Sequence, residues 1–147
     1  MNILLRWNFK MKVYIGPYPK TSKKEQKISV RIDKYDTWSM DITLAHIIVP
    51  MLKQLKETKH GAPDVSDDDV PQHLRRTEVP TMAYETDDNY FKRWDYVMDE
   101  MIFAFESKLT HWIDQCEDLT SPEVTMRYMR IQNGFELFGK YYHGLWD

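Results

Sequence analysis

Hydrophobic and polar positions follow three successive rhythms along the chain. Lys12 to Ile15 form a short β-prone run that ends at Gly16-Pro17. After the turn-rich, basic stretch PYPKTSKKEQ (17–26), Ile28, Val30 and Ile32 alternate with Ser29, Arg31 and Asp33. That period of two belongs to a half-buried strand. Together the two runs predict an antiparallel hairpin with a long loop. A hairpin of two strands is marginal alone and needs helices or another subunit over its apolar face.

From Met40 the rhythm becomes helical. Ser39 suits an N-cap and Asp41 the first turn, where a negative charge complements the helix dipole. Ile42, Ala45, Ile48 or Val49, Leu52 and Leu55 form one apolar face, and Leu44, Ile47 and Met51 a second. A helix apolar over so much of its circumference is buried on two sides. Pro50 removes one backbone bond inside it and predicts a kink near His46–Pro50, while Gly61 and Pro63 predict its end.

Residues 61–88, with Pro63, Pro71, Pro80 and the run Asp67-Asp68-Asp69, read as a long connection. A second helix is predicted over Asp88–Glu117, because Phe91, Trp94, Met98, Met101, Ile102, Phe105, Leu109, Trp112 and Ile113 recur three and four apart. A third begins near Pro122, with Thr120 or Ser121 as cap and Glu123 completing a capping box. Val124, Tyr128, Ile131, Phe135, Phe138, Tyr142 and Leu145 then make a coiled-coil-like seam. The predicted fold is α+β: a short N-terminal antiparallel hairpin packed on a bundle of three long helices. Residues 11–147 form a single domain. Residues 1–10 fit poorly with the remainder of the chain, and Met11-Lys12-Val13 reads as a second start, so they are expected to be an extension or a non-native segment.

Composition narrows the class. The longest apolar run, Ile47–Leu52 with Pro50 inside it, is far short of the ~20 residues of a membrane span, and Ile3-Leu4-Leu5 is too short for a signal peptide. The single Cys116 excludes a disulfide framework and a multi-cysteine zinc site. Charge is unevenly placed. Residues 1–60 hold 12 Lys/Arg against 5 Asp/Glu, and the remainder is acidic enough to bring the net charge to −3. Such asymmetry fits a basic surface facing an anion, or two halves that neutralise each other. A pI of 5.9 argues against extended DNA or RNA as the partner.

Catalytic constellations are absent from the sequence. There is no GxSxG, P-loop or GxGxxG, and His46, His60, His73, His111 and His143 show no metal-ligand spacing. Cys116 precedes Glu117 and Asp118, which disfavour a thiolate. Asp114-x-x-Glu117 and the Asp95/Asp99 pair, with Glu106, are the nearest approach to a magnesium site of an all-helical nucleotide-processing enzyme, and a charged outer helix face explains them better. No cofactor and no metal is expected. The N-terminal half instead interleaves Tyr14, Tyr18, Tyr35 and Trp38 with lysines and arginines. Aromatic faces stack bases and cations neutralise phosphates, the combination that a nucleotide-sized ligand requires. The expected ligand residues are Tyr14, Tyr18 and Trp38 for stacking, and Lys20, Arg75 and Arg93 for phosphates. The same aromatics also suit a buried core.

Five segments carry a resemblance: KVYIGPY (12–18), YDTWSMDITLAHIIVPMLKQLKETKHGAP (35–63), DVPQHLR (69–75), WDYVMDEMIFAFE (94–106) and NGFELFGKYYHGLWD (133–147). Together they resemble a small protein carried by many large tailed phages, and the chain is similar in size and layout to the anti-CBASS sponge family. That resemblance implies a non-enzymatic homotetramer in the cytoplasm of the infected bacterial host. It would bind a cyclic dinucleotide signal such as 3′,3′-cGAMP without cleaving it and so keep the host's effectors inactive. The alternatives are the magnesium-dependent enzyme and a virion or host-takeover interaction protein with no small ligand. Apolar surplus on the first helix, the third helix and the hairpin points independently to a homo-oligomer with two-fold symmetry.

Overall fold

A computed structural model describes residues 12–15, 28–78, 82, 85–110 and 120–147, with the side chains of Lys12, Tyr14 and Ile15 outside the description. The chain is mostly helical, and no described helix is long and apolar enough to cross a membrane. It divides into two compact units, residues 1–43 and 44–147.

In the first unit, β1 (Lys12–Ile15) and β2 (Ile28–Arg31) pair antiparallel, with Lys12 opposite Arg31 and Val13 opposite Val30. All of β2 is exposed. A turn follows in which the Asp33 backbone N–H donates to the Asp36 carboxylate at 2.8 Å and the Tyr35 N–H to the Asp33 carboxylate at 3.1 Å. Short acidic side chains that bond neighbouring backbone in this way compete with continued strand or helix. The Trp38 N–H then donates to the Tyr35 carbonyl.

Helix α1 (Met40–Thr58) starts where the sequence predicts and carries Pro50 inside it. Its buried residues are Ala45, Val49 and Leu52 on one face, while Met40, Leu44 and Met51 are exposed on the second apolar face. Helix α2 spans Tyr90–Leu109 and α3 Ser121–Lys140. The Thr120 N–H donates to the Glu123 carboxylate at 2.7 Å, the expected capping box. The predicted C-terminal part of the second helix, Thr110 excepted, lies outside the described residues, as do Cys116 and residues 1–10.

Helices α2 and α3 run antiparallel, and the core gathers along their contact. Trp94, Val97, Met98, Met101 and Ile102 from α2 meet Leu137 of α3, Tyr141 just beyond it, Leu52 of α1, and Val65 and Val70 of the connection. The buried seam of α3 differs from the predicted one. It runs through Ile131, Gly134, Leu137 and Tyr141, leaving Tyr128 and Tyr142 exposed and Phe135 and Phe138 on its flank. There Phe105 meets both rings edge-to-face, with centroids 5.1 and 4.9 Å away. Gly134 accounts for the rotation. A Cβ there would clash with the Glu100 carbonyl oxygen and stand 2.5 Å from the Ala104 Cβ, so the two backbones touch at a position where any side chain would hold them apart.

The close approach generates a prediction. Gly134→Ala is expected to cost about 3 kcal/mol, at the upper end of the usual range for overpacking, because backbone and not a flexible side chain must give way. Urea unfolding followed by circular dichroism measures it, and a variant as stable as the parent contradicts the packing.

Candidate functional site

The six residues expected to bind ligand fall in different places. Tyr18 and Lys20 lie outside the described residues, and of Tyr14 only the backbone position in β1 is described. Trp38 belongs to the first unit, at the end of the acidic turn, and is 85% exposed. Beside it in sequence, the Lys34 ammonium lies 4.9 Å from the Tyr35 ring centroid, and Arg31 is exposed at the end of β2.

Arg75 and Arg93 belong to the second unit. Arg75 is half-buried, with its Nε donating to the Val70 carbonyl at 3.4 Å. Arg93 is only 1% exposed. Its guanidinium makes a two-pronged pair with the Asp87 carboxylate at 2.7 and 2.9 Å and also donates to the carbonyl of Leu74. It therefore pins both ends of the stretch between Leu74 and Asp87 onto α2. The hydrogen bonds from Arg93 hold the Asp87 carboxyl below its ordinary range. The sequence expectation of a phosphate contact is corrected here: in this position Arg93 closes a loop, and a carboxylate already occupies its fork.

Of the carboxylates weighed for magnesium, Asp114 and Glu117 lie outside the described residues, and Asp95, Asp99 and Glu106 are each met by a lysine. Lys53 pairs with Glu106, Lys56 with Asp99 and Lys59 with Asp95, all at 2.5 Å. The three lysines recur at three-residue intervals along α1 and just past its end, and their partners lie on α2 in reverse order. An ammonium against each carboxylate neutralises the charge that a divalent cation would need. Among the described residues no cluster of three His, Cys, Asp or Glu is arranged to hold a metal.

The densest polar network lies where the connection meets the end of α3. Around it the chain makes two 3₁₀ turns, Asp67–Asp69 and Gln72–Leu74. Arg76 pairs with Asp64 and Asp67 and donates to the Val65 carbonyl. The Tyr141 hydroxyl donates to Asp69 and accepts the Ser66 N–H at 3.0 Å, while Lys140 pairs with Asp69 at 2.6 Å. Burial, followed by the bond to Asp69, pushes the Tyr141 phenol up to about 12. An open groove of about 670 Å³ lies over this network, lined by Asp64, Asp67, Asp68, Arg76, Lys140 and Trp146 among others. The Trp146 ring rests on Gly61, where a Cβ would stand 2.8 Å from its Cζ3, so Gly61 leaves room for an indole as well as following α1. Sequence reasoning missed this network, because Asp67, Asp68 and Asp69 read only as part of a long connection until Arg76 and Tyr141 are placed against them.

The Tyr141 network and the lysine ladder each have a measurable consequence. Tyr141 loses its proton only near pH 12 in the folded chain and near its ordinary value of about 10 once unfolded, so its contribution is complete below pH ~10 and lost as pH climbs beyond. Tyr141→Phe leaves the Ser66 N–H without its acceptor and is expected to cost about 1–2 kcal/mol; ultraviolet phenolate titration and urea unfolding check the two statements. For the lysine ladder, Asp99→Asn is expected to cost less than about 1 kcal/mol, and EDTA to leave the melting temperature unchanged. A chelator-induced drop restored by magnesium contradicts the ladder reading.

Compared with known proteins, the chain matches no family model, no curated protein and no solved structure.

Proposed function

We propose that the protein is a non-catalytic sponge that binds a cyclic dinucleotide signal, such as 3′,3′-cGAMP, and withholds it from the CBASS effectors of an infected bacterial host. The observation that carries this reading is Trp38, whose indole stands 85% exposed after a turn bearing Lys34 and Tyr35. An indole so exposed adds little to the core, and its face is free to stack on a base. The register of the hairpin supports the same reading. In its register Lys12 pairs with Arg31, so two basic positions are neighbours across the strands. Tyr14, two residues along β1, falls in the same alternation as Lys12.

In this reading the ligand set is Tyr14, Tyr18 and Trp38 with Lys20, joined by Lys12 and Arg31, all in the first unit, and Arg75 of the second unit is not counted with them. Arg93 leaves the set because Asp87 occupies it. The protein acts as a homo-oligomer, a tetramer built on two-folds, in the host cytoplasm. A cyclic dinucleotide has near two-fold symmetry, so a two-fold interface offers each half of it the same groups. The ladder of lysines on Asp95, Asp99 and Glu106 weighs against the magnesium-dependent enzyme. Exposed Met126, Tyr128 and Met129 on α3 favour, as a second reading, an interaction protein with a macromolecular partner.

The test is calorimetry with 3′,3′-cGAMP, followed by denaturation and recovery of the nucleotide. Binding with intact ligand recovered is expected. Trp38→Ala is expected to weaken affinity about fivefold or more, since stacking is worth roughly 1–3 kcal/mol per base. Cleaved nucleotide contradicts the sponge in favour of an enzyme, and no binding favours the macromolecular partner.

A further inference from the structure

We infer that Trp146 is a swinging gate on the groove over the Tyr141 network, seated on Gly61 and latched by the bonds of Asp147 to His60. The gate lies wholly within the second unit and is independent of the nucleotide reading. Its basis is the order in which the chain beyond α3 meets the chain beyond α1. The Tyr141 hydroxyl accepts the Ser66 N–H at 3.0 Å. Gly144 then lies against the Pro63 ring and Gly61 against the Trp146 ring, each so close that a Cβ would stand 2.8 Å from the ring. Last, the Asp147 carboxylate accepts the His60 N–H, and its oxygens lie 3.0 and 3.1 Å from the imidazole Nδ1. As one partner advances from 141 to 147 the other retreats from 66 to 60, without a slip in register.

These contacts are firm at the inner end and weak at the outer one. Tyr141 and Gly144 are buried, and Leu145 packs against the core. Beyond Leu145 the contacts are the indole on its glycine and the latch. The Trp146 ring is 54% exposed, and the latch side chains are 89% exposed at His60 and 43% at Asp147. An ion pair so exposed contributes little, and a half-exposed ring gives up few contacts when it leaves. This end therefore opens while the core stays closed, with Leu145 as the hinge. Gly61 suits the seat, because the ring settles on bare backbone and leaves it without repacking a side chain. The motion has a definite consequence. Trp146 lines the groove together with Asp64, Asp67, Arg76 and Lys140, so the closed indole is one wall of it. Swung out, it opens that side and bares Gly61.

The experiment is fluorine NMR of the full chain labelled with 5-fluorotryptophan, with a soluble gadolinium chelate as the probe of solvent contact. The Trp146 signal is identified by its loss in Trp146→Phe, and buried Trp94 serves as the internal reference. Asp147→Ala removes the latch and leaves the seat intact. Since the closed ring is already 54% exposed, its relaxation by the chelate is expected to rise up to about twofold in that variant, with Trp94 unchanged. Gly61→Ala fills the seat and is expected to raise it by a similar factor. Unchanged relaxation of Trp146 in either variant overturns the gate. So does a rise at Trp94 in Asp147→Ala, because the core and not the indole has then opened. A latch variant on the surface keeps the test decisive even where Gly61→Ala disturbs the fold. None of these readouts involves a nucleotide, so their failure leaves the sponge reading as it stands.

Discussion

The backbone contact at Gly134 governs the second unit. Because α3 has no side chain there, it sits directly on the Glu100–Ala104 turn of α2, and a contact so close admits only one register. In that register Trp94 meets Tyr141 edge-to-face at one end, and Phe105 meets Phe135 and Phe138 at the other. It also buries Glu100, a carboxylate within the packed helix pair. Arg130 answers with a two-pronged pair at 2.7–3.1 Å, and its guanidinium lies 3.8 Å from the Phe103 ring centroid. A buried charge is tolerated only when paired and hydrogen-bonded, so the close approach and the ion pair stand or fall together.

The remaining parts of that unit attach to the helix pair by different physics. The connection is fastened at residues 64–76 by buried or half-buried polar groups, through Tyr141 on Asp69 and Ser66 and through Arg93 on Leu74. Leu52 anchors α1 to the core, but its outer contact with α2 is a row of partly exposed lysine–carboxylate pairs. Surface pairs are weak and screened by salt, whereas the Tyr141 network is shielded. Of the three helices, α1 is thus the one whose attachment depends most on ionic strength.

How much of this was legible in the sequence depends on the signal each feature leaves. Helix starts were legible, because a capping box such as Thr120–Glu123 and periodic apolar residues are local. The seam of α3 was misread because Gly134 has no hydrophobicity to announce a contact, and a large residue such as Tyr128 outweighs it in any apolar pattern. Arg93 was misread because an arginine's partner is set by folding: nothing in the sequence says that Asp87, six residues earlier, returns to fill its fork. Asp95, Asp99 and Glu106 were ambiguous for the same reason until Lys53, Lys56 and Lys59 were placed opposite them. At Trp38 the sequence left a stacking indole and a core indole both open, and only the fold shows it exposed.

Affinity sets the condition that a sequestering role must meet. A protein that binds without cleaving protects only in proportion to the fraction of signal it holds, so it needs a dissociation constant well below the signal concentration. Nanomolar affinity corresponds to about 12 kcal/mol, whereas one stacked base is worth roughly 1–3 kcal/mol. Trp38 in a single copy falls far short. Two copies around a two-fold double every stacking and phosphate contact while the ligand's translational freedom is lost only once. A sponge made from this hairpin would therefore have to be an oligomer to reach that affinity.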